Sequence, residues 1–85
     1  MAEVLVYLRV MPASIEVNLE DLEAKIKSAI SPEKIVRKPI AFGIVALEVL
    51  KVVPDAGGVV DELEQKLKSI KEVGEVEIIG ITRGL

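Results

Sequence analysis

The sequence lacks cysteine, histidine and tryptophan, and its only aromatic residues are Tyr7 and Phe42. Without cysteine there is no disulfide framework, no thiolate nucleophile and no zinc-finger spacing. Without histidine the commonest general base and transition-metal ligand is missing. An RNA-recognition module stacks bases on several aromatic side chains, so a lone Tyr7 argues against one. We therefore expect no metal site, no cofactor and no covalent chemistry.

The chain also lacks an excess of positive charge and a long apolar run. Eleven Lys and Arg stand against 14 Asp and Glu, which gives a formal net charge of −3. Direct nucleic-acid binding is not expected, because it needs a concentrated basic surface. Apolar runs such as residues 44–47 are too short to span a bilayer, and charged residues such as Glu48 interrupt them. The expected location is therefore cytoplasmic, with no membrane contact.

What the sequence does have is a large aliphatic fraction. Of its 85 residues, 51% are hydrophobic and 29% are charged with nearly balanced signs, which excludes a disordered chain. This length predicts one small domain over residues 1–85. One Asn, one Gln and no Cys, beside many Glu and Lys, lean towards a thermophilic source.

Hydrophobic periodicity predicts a strand and then a helix in the first 32 residues. Alternation over residues 3–11 indicates a half-buried strand, with Val4, Val6, Leu8 and Val10 on one face. Asn18 is a good N-cap for a helix over residues 19–30, which Ser31-Pro32 ends. We expect the ion pairs Asp21–Lys25 and Glu23–Lys27 on its solvated side.

The rest of the chain predicts three strands and a second helix. The expected elements are a short strand over residues 34–38, a long strand over 44–53, a helix over 59–71 closed by Val73-Gly74, and a strand over 76–82. Glu62–Lys66 and Glu64–Lys68 are expected to pair on the second helix. The order βαββαβ predicts an α+β, ferredoxin-like fold, a four-stranded antiparallel sheet with both helices on one face.

This fold hosts many unrelated functions, so function has to come from particular residues. Gly57-Gly58 lacks the Lys-Ser/Thr of a phosphate-binding loop, and the helix carboxylates have the spacing of solvated faces. Two features remain. Phe42 lies in a loop-like apolar segment, where it is equally a core residue or a protruding anchor, and Arg83 is a charged residue near the chain end.

Residue types alone leave two kinds of function open. One is a small interaction domain. The other is a regulatory or oligomerising ferredoxin-like domain, in which exposed Leu5, Tyr7 and Leu50 on the open sheet face would pack against a second copy or a small effector.

Several motifs together resemble the elongation factor 1-beta family, the guanine-nucleotide exchange factors of translation elongation factor 1. They are Val10-Met11-Pro12, Val17-Asn18-Leu19, Pro39-Ile40-Ala41-Phe42-Gly43, Gly57-Gly58, and the ending Val76-Glu77-Ile78-Ile79-Gly80-Ile81-Thr82-Arg83. The resemblance covers the whole chain. Its most specific part is the Pro-Ile-x-aromatic-Gly segment combined with the basic end.

The resemblance implies a partner, the GTPase elongation factor 1-alpha in its GDP-bound and nucleotide-free forms. It implies that Arg83 is directed at the partner's Mg²⁺ site, where the eukaryotic domain has Lys, and that GDP is released without covalent chemistry. The implied partner-binding residues are Pro39, Ile40, Ala41, Phe42, Gly43 and Thr82. Gly84-Leu85 departs from the usual family ending.

Overall fold

The computed structural model of the chain describes residues 2–83. Its elements are β1 (Glu3–Pro12), α1 (Leu19–Ile30), β2 (Lys34–Ala41), β3 (Ile44–Pro54), α2 (Val59–Lys68) and β4 (Val73–Arg83). The strands pair antiparallel in the order β2-β3-β1-β4, so β1 and β3 are central and β2 and β4 are edges. The predicted ferredoxin-like arrangement is confirmed.

The core lies between one face of the sheet and the two helices. The four β1 side chains predicted to share a face are all buried, as are Leu47 and Val49 of β3. Helix α1 contributes Leu22, Ile26 and Ile30, and α2 contributes Leu63 and Leu67. Each fully buried aliphatic side chain stabilises the fold by roughly 1.5–3 kcal/mol. This aliphatic core leaves Phe42 outside it.

The bounds of α1 agree with the prediction. The Asn18 side-chain oxygen accepts a hydrogen bond from the Asp21 N–H at 3.1 Å, and Ser31 ends the helix in a left-handed conformation with φ 47°. The two ion pairs predicted along α1 are not formed. Glu23 instead accepts from Arg37 of β2, and Lys25 pairs with Glu72, because these neighbours come within reach once the helix is packed.

The end of α2 differs from the prediction. The helix stops at Lys68, three residues early, and Val73 and Gly74 open β4 instead of closing the helix. Ile70 keeps its contact with the core from a turn, whose hydrogen bond runs from the Val73 N–H to the Ile70 carbonyl at 3.0 Å. The helical spacing of apolar residues therefore continues past the end of the helix, because a turn holds the half-buried Ile70 against the core. The pairs Glu62–Lys66 and Glu64–Lys68 are confirmed, at 3.6 and 3.7 Å.

Candidate partner-binding site

The β2–β3 hairpin turns on two residues, Phe42 and Gly43. Both have positive φ, 53° and 76°, as a type I′ turn requires. Such turns favour Asn-Gly, because Asn and Gly tolerate this conformation and bulky side chains do not. Gly43 meets the requirement at no steric cost, whereas Phe42 is strained.

Phe42 is also almost fully exposed, with a relative surface exposure of 96% for the residue. Of the two interpretations left open by the sequence, the core residue is therefore wrong. A residue that is both strained and solvated lowers the stability of the free chain, and strain of this kind concentrates at functional sites. The Phe42 ring is available to an outside partner.

The residues before the turn belong to a strand, which corrects the predicted end of β2 at Lys38. Strand β2 continues through Pro39 to Ala41. Because β2 is an edge strand, it tolerates a proline, whose missing N–H is not needed for a hydrogen bond to a neighbouring strand. Pro39 pairs with Val45 and Ala41 with Ile44, so Ile40 is an extra residue that bulges between them. Ile40 is 49% exposed.

Sequence reasoning missed Ile15, which is 70% exposed at this same end of the sheet. It lies in a turn closed by the Val17 N–H and the Ser14 carbonyl at 3.3 Å. A shallow depression of about 70 Å³ is lined by Ser14, Ile15 and Gly43, among others. We call the exposed group Ile15, Ile40 and Phe42 the apolar tip. The pattern of residues 13–17 did not predict that Ile15 belongs to this surface, because Ile15 and its neighbour Gly43 are far apart in sequence.

The loop that carries Ile15 is held by close backbone contacts. The Ala13 N–H donates to the Glu72 carbonyl at 2.8 Å. A Cβ on Gly74 would lie only 2.9 Å from the Ala13 Cα, so this approach requires glycine. The start of β4 thus fixes the base of the Ile15 loop.

Arg83 ends β4 at the opposite end of the sheet, where it is paired with Val4 of β1. Its guanidinium Nη1 donates to Asp55 Oδ1 at 2.7 Å, just beyond the end of β3. Both side chains remain accessible, at 67% and 38% exposure. We call Arg83 and Asp55 the charged end. Thr82, also exposed, pairs with Leu5 beside it, and Gly84-Leu85 lie outside the described residues.

The apolar tip and the charged end are far apart. Strand β3 runs from the turn at Ile44 to Pro54 next to Asp55. The ten steps between its first and last residues, at about 3.3 Å each, correspond to roughly 33 Å, and the longest dimension of the described chain is 41 Å. The structure therefore does not bring the predicted site residues into one cluster. It places Arg83 and Thr82 at one end and residues 39–43 at the other.

The sheet face turned away from the helices is a third surface. Tyr7 is 39% exposed, while Leu5 and Leu50 are half-buried, which corrects the expectation that all three are exposed. Arg9 lies 3.5 Å from Glu77 and 3.8 Å from Glu48, and Lys38 lies 3.8 Å from Glu48. These charges form a row of ion pairs across all four strands, although the buried Arg9 Nε has no hydrogen-bond partner among the described residues.

Elsewhere, ion pairs between elements perturb two carboxyl groups. The hydrogen bond from Arg37 at 2.8 Å lowers the pKa of Glu23 below its ordinary value, and partial desolvation opposes this. The hydrogen bond from Lys25 lowers the pKa of Glu72. The Arg37–Glu23 pair ties α1 to β2, and the Lys25–Glu72 pair ties α1 to the turn before β4, so both are structural contacts.

Within residues 2–83 no group of three or more acidic side chains is placed to hold a metal ion. None of the helices in that range is long and apolar enough to cross a membrane. The fold and the exposed ends together define a small ferredoxin-like domain with an apolar tip at one end of its sheet and a charged end at the other.

Comparison with known proteins identifies the family. The family model for the EF-1 guanine nucleotide exchange domain matches residues 5–83, and the chain belongs to this family. Elongation factor 1-beta of Methanoculleus marisnigri is 40% identical over 82 residues, which cover 96% of this chain and 98% of that protein. Elongation factor 1-beta of Saccharolobus solfataricus is 44% identical over 88 residues, covering 98% and 97%.

Among solved structures, the chain is similar to the ACT domain from the GTP pyrophosphokinase of Chlorobium tepidum. The TM-score is 0.61 at 17% identity, over 91% of this chain and 99% of that one. At this identity the likeness supports the ferredoxin-like fold and carries no information about function.

Proposed function

We propose that this chain promotes release of GDP from the GTPase elongation factor 1-alpha, and so allows GTP to enter. The observation that carries the proposal is the membership of the EF-1 guanine nucleotide exchange domain family over residues 5–83. The relatives named elongation factor 1-beta support it, since they match the chain over nearly its whole length. The chain acts by binding, not by covalent chemistry, and needs no cofactor for this.

Arg83 is the residue that disturbs the nucleotide. Mg²⁺ bridges the phosphates of a bound nucleotide and screens their charge. A guanidinium brought to that site offers planar N–H donors to phosphate oxygens but cannot coordinate them as the metal does. Its position at the end of an edge strand, 67% exposed, leaves Arg83 accessible to a partner. Competition between the guanidinium and Mg²⁺ weakens GDP binding.

Phe42 anchors the chain on the GTPase. An exposed aromatic ring on a rigid turn loses little conformational entropy on binding, and aromatic residues commonly dominate interface energies. Pro39, Ile40, Ala41 and Gly43 surround it at the same end. Because Phe42 and Arg83 lie at opposite ends of the sheet, the GTPase must offer two contact points roughly 33 Å apart.

Coupling between the two ligands is reciprocal. If the chain weakens GDP binding by a given factor, GDP weakens binding of the chain by the same factor. The nucleotide-free GTPase is therefore the form that this chain binds most tightly, and entry of GTP displaces it.

The test is the rate at which a fluorescent GDP analogue leaves the matching GTPase, with and without this chain. The chain should accelerate release, and Arg83→Ala should lower the rate at saturating chain by at least about tenfold, equivalent to ~1.4 kcal/mol. Arg83→Lys should retain part of the activity, because it keeps the charge. No acceleration by the wild-type chain would refute the proposed function.

A further inference from the structure

Asp55 is a charged residue that the function proposed above does not use, although it contacts Arg83. The distance from Asp55 Oδ1 to Arg83 Nη1 is 2.7 Å, which is a short, charge-assisted hydrogen bond. The two residues are 28 positions apart in sequence, and β1 lies between their strands. The Arg83 side chain therefore reaches across the end of β1 to meet Asp55.

Asp55 is well fixed by its own backbone. Its N–H donates to the Ala2 carbonyl at 3.1 Å, and the next N–H, from Ala56, donates to the Pro54 carbonyl at 2.9 Å. The preceding residue, Pro54, is the last of β3 and pairs with Glu3 of β1. The carboxylate therefore stands on a turn that two central strands hold in place.

Among residues 2–83, the contacts that hold Arg83 are its backbone pairing with β1 and its ion pair with Asp55, and β4 is an edge strand. A long side chain there has many rotamers, and selecting one of them costs conformational entropy. The contact with Asp55 selects a rotamer before any partner arrives. It uses Nη1, and a guanidinium has five N–H donors in a planar fork, so donors remain for a phosphate while Asp55 stays bound.

We propose that Asp55 is a positioning residue for Arg83: it holds the guanidinium over the end of β1 in the direction from which it enters the nucleotide site of the GTPase. This inference rests on the proposed function. Preorganisation raises the limiting rate of GDP release, because less entropy is lost when Arg83 engages the phosphates. The Asp55 carboxylate also cancels the positive charge of Arg83 at long range, so the ion pair does not speed the first encounter between the chain and the GTPase.

The experiment is GDP-analogue release measured over a range of concentrations of the chain carrying Asp55→Asn. The limiting rate should fall about two- to fivefold, the range expected for an exposed ion pair. The concentration giving half the limiting rate should stay unchanged or fall, because the substitution removes a negative charge near the phosphates. Asp55→Glu should recover part of the rate. An unchanged or higher limiting rate for Asp55→Asn would overturn the inference.

The control is Glu77→Gln, which makes the same change of charge in a carboxylate 3.5 Å from Arg9 on the open sheet face. It should leave both parameters as in the wild-type chain. A loss of limiting rate equal to that of Asp55→Asn would attribute the effect to charge in general and overturn the inference.

A double-mutant cycle separates positioning from a general effect on the fold. In the Arg83→Ala background, Asp55→Asn should have no further effect on the limiting rate. An equal loss with and without Arg83 would show that Asp55 acts by another route.

A measurement on the free chain separates this inference from the proposed function. Asp55→Asn should shift the NMR signal of the Arg83 side-chain Nε–Hε group, whereas Glu77→Gln should not. An unshifted signal would mean that the ion pair is absent in solution, and the inference fails even if Arg83 drives exchange. If Asp55→Asn shifts the signal but Arg83→Ala leaves the rate of GDP release normal, the ion pair exists and Arg83 does not drive exchange. That outcome would refute the role of Arg83 and with it this inference.

Discussion

The two ends of the sheet differ in which part of the chain is held in a fixed conformation, the backbone at one end and a side chain at the other. At the apolar tip the backbone is constrained, since Phe42 has a φ of 53° and Gly43 one of 76°, while Phe42 as a residue is 96% exposed. At the charged end the strand is regular, and a side-chain ion pair supplies the order. A strained turn suits an anchor, which must hold its shape, and a paired guanidinium suits a group that must be oriented before it meets its target.

The roles proposed for the two ends also differ in their kinetic consequences. An anchor sets how tightly the chain is held, and therefore the concentration needed for half-maximal exchange. A group acting on the phosphates sets the rate of GDP loss once the chain is bound. The following predictions test that division, from the largest expected effect to the smallest.

Removing the anchor has the largest effect. Phe42→Ala should raise the concentration of chain required for half-maximal GDP release by about thirtyfold, corresponding to a hot spot of ~2 kcal/mol, with a smaller change in the limiting rate. Titration of the GTPase with the variant in the fluorescent-GDP assay measures both quantities.

The matched control is a buried side chain of the same chain. Leu8 is fully buried, so Leu8→Ala should lower the free energy of unfolding of the chain by about 2–5 kcal/mol. Phe42→Ala should change the free energy of unfolding by less than about 0.5 kcal/mol. Urea unfolding of the two variants compares them. If Phe42→Ala unfolds as readily as Leu8→Ala, its effect on exchange is not evidence of docking.

Ile15 should extend the anchor. Partial burial of its 70% exposed side chain against the GTPase is worth about 1 kcal/mol, so Ile15→Ser should raise the half-maximal concentration roughly fivefold. Val36→Ser is the control, because Val36 is 42% exposed on β2 and lies away from both ends. Equal effects of the two substitutions would remove Ile15 from the docking surface.

The strain at the apolar tip should be measurable as stability. Phe42→Asn places the favoured residue of a type I′ turn at a φ of 53° and should raise the free energy of unfolding by about 0.5–1 kcal/mol. The same variant should exchange as poorly as Phe42→Ala. Urea unfolding measures the gain, and a variant less stable than the wild-type chain would contradict the assigned strain.

Much of the fold follows from the sequence because its signals are local. Alternation along β1 predicted which side chains are buried, and Asn18 marked the start of α1 correctly. Ile70 misled the prediction of α2, because its contact with the core comes from a turn beyond the helix.

The candidate site was harder to predict because its geometry is not local. Phe42 could be interpreted in two ways until the pairing of Ala41 with Ile44 made residues 42–43 a two-residue turn. The contact between Arg83 and Asp55 depends on the order of three strands, and the position of Ile15 depends on the hairpin beside it. The motifs pointed to Phe42 and Arg83 but not to Ile15 or Asp55, and only the structure shows that the two ends are separated by the length of the sheet.

The smallest effect should come from an ion pair that belongs to neither end. Arg37 lowers the pKa of Glu23, so the pair stabilises the fold at pH values above the unfolded pKa of about 4.3 and loses this effect as pH falls through the lowered, folded value. Glu23→Gln should therefore lower stability slightly at pH 7, and its difference from the wild-type chain should vanish on acidification. Urea unfolding at pH 7 and below pH ~4 measures this, with Glu75→Gln as an exposed control.

GDP release at pH 7 should be unaffected by Glu23→Gln, since Glu23 on α1 contacts β2 well short of its turn. A loss of exchange would show that the two ends do not act as the separate contact points proposed above.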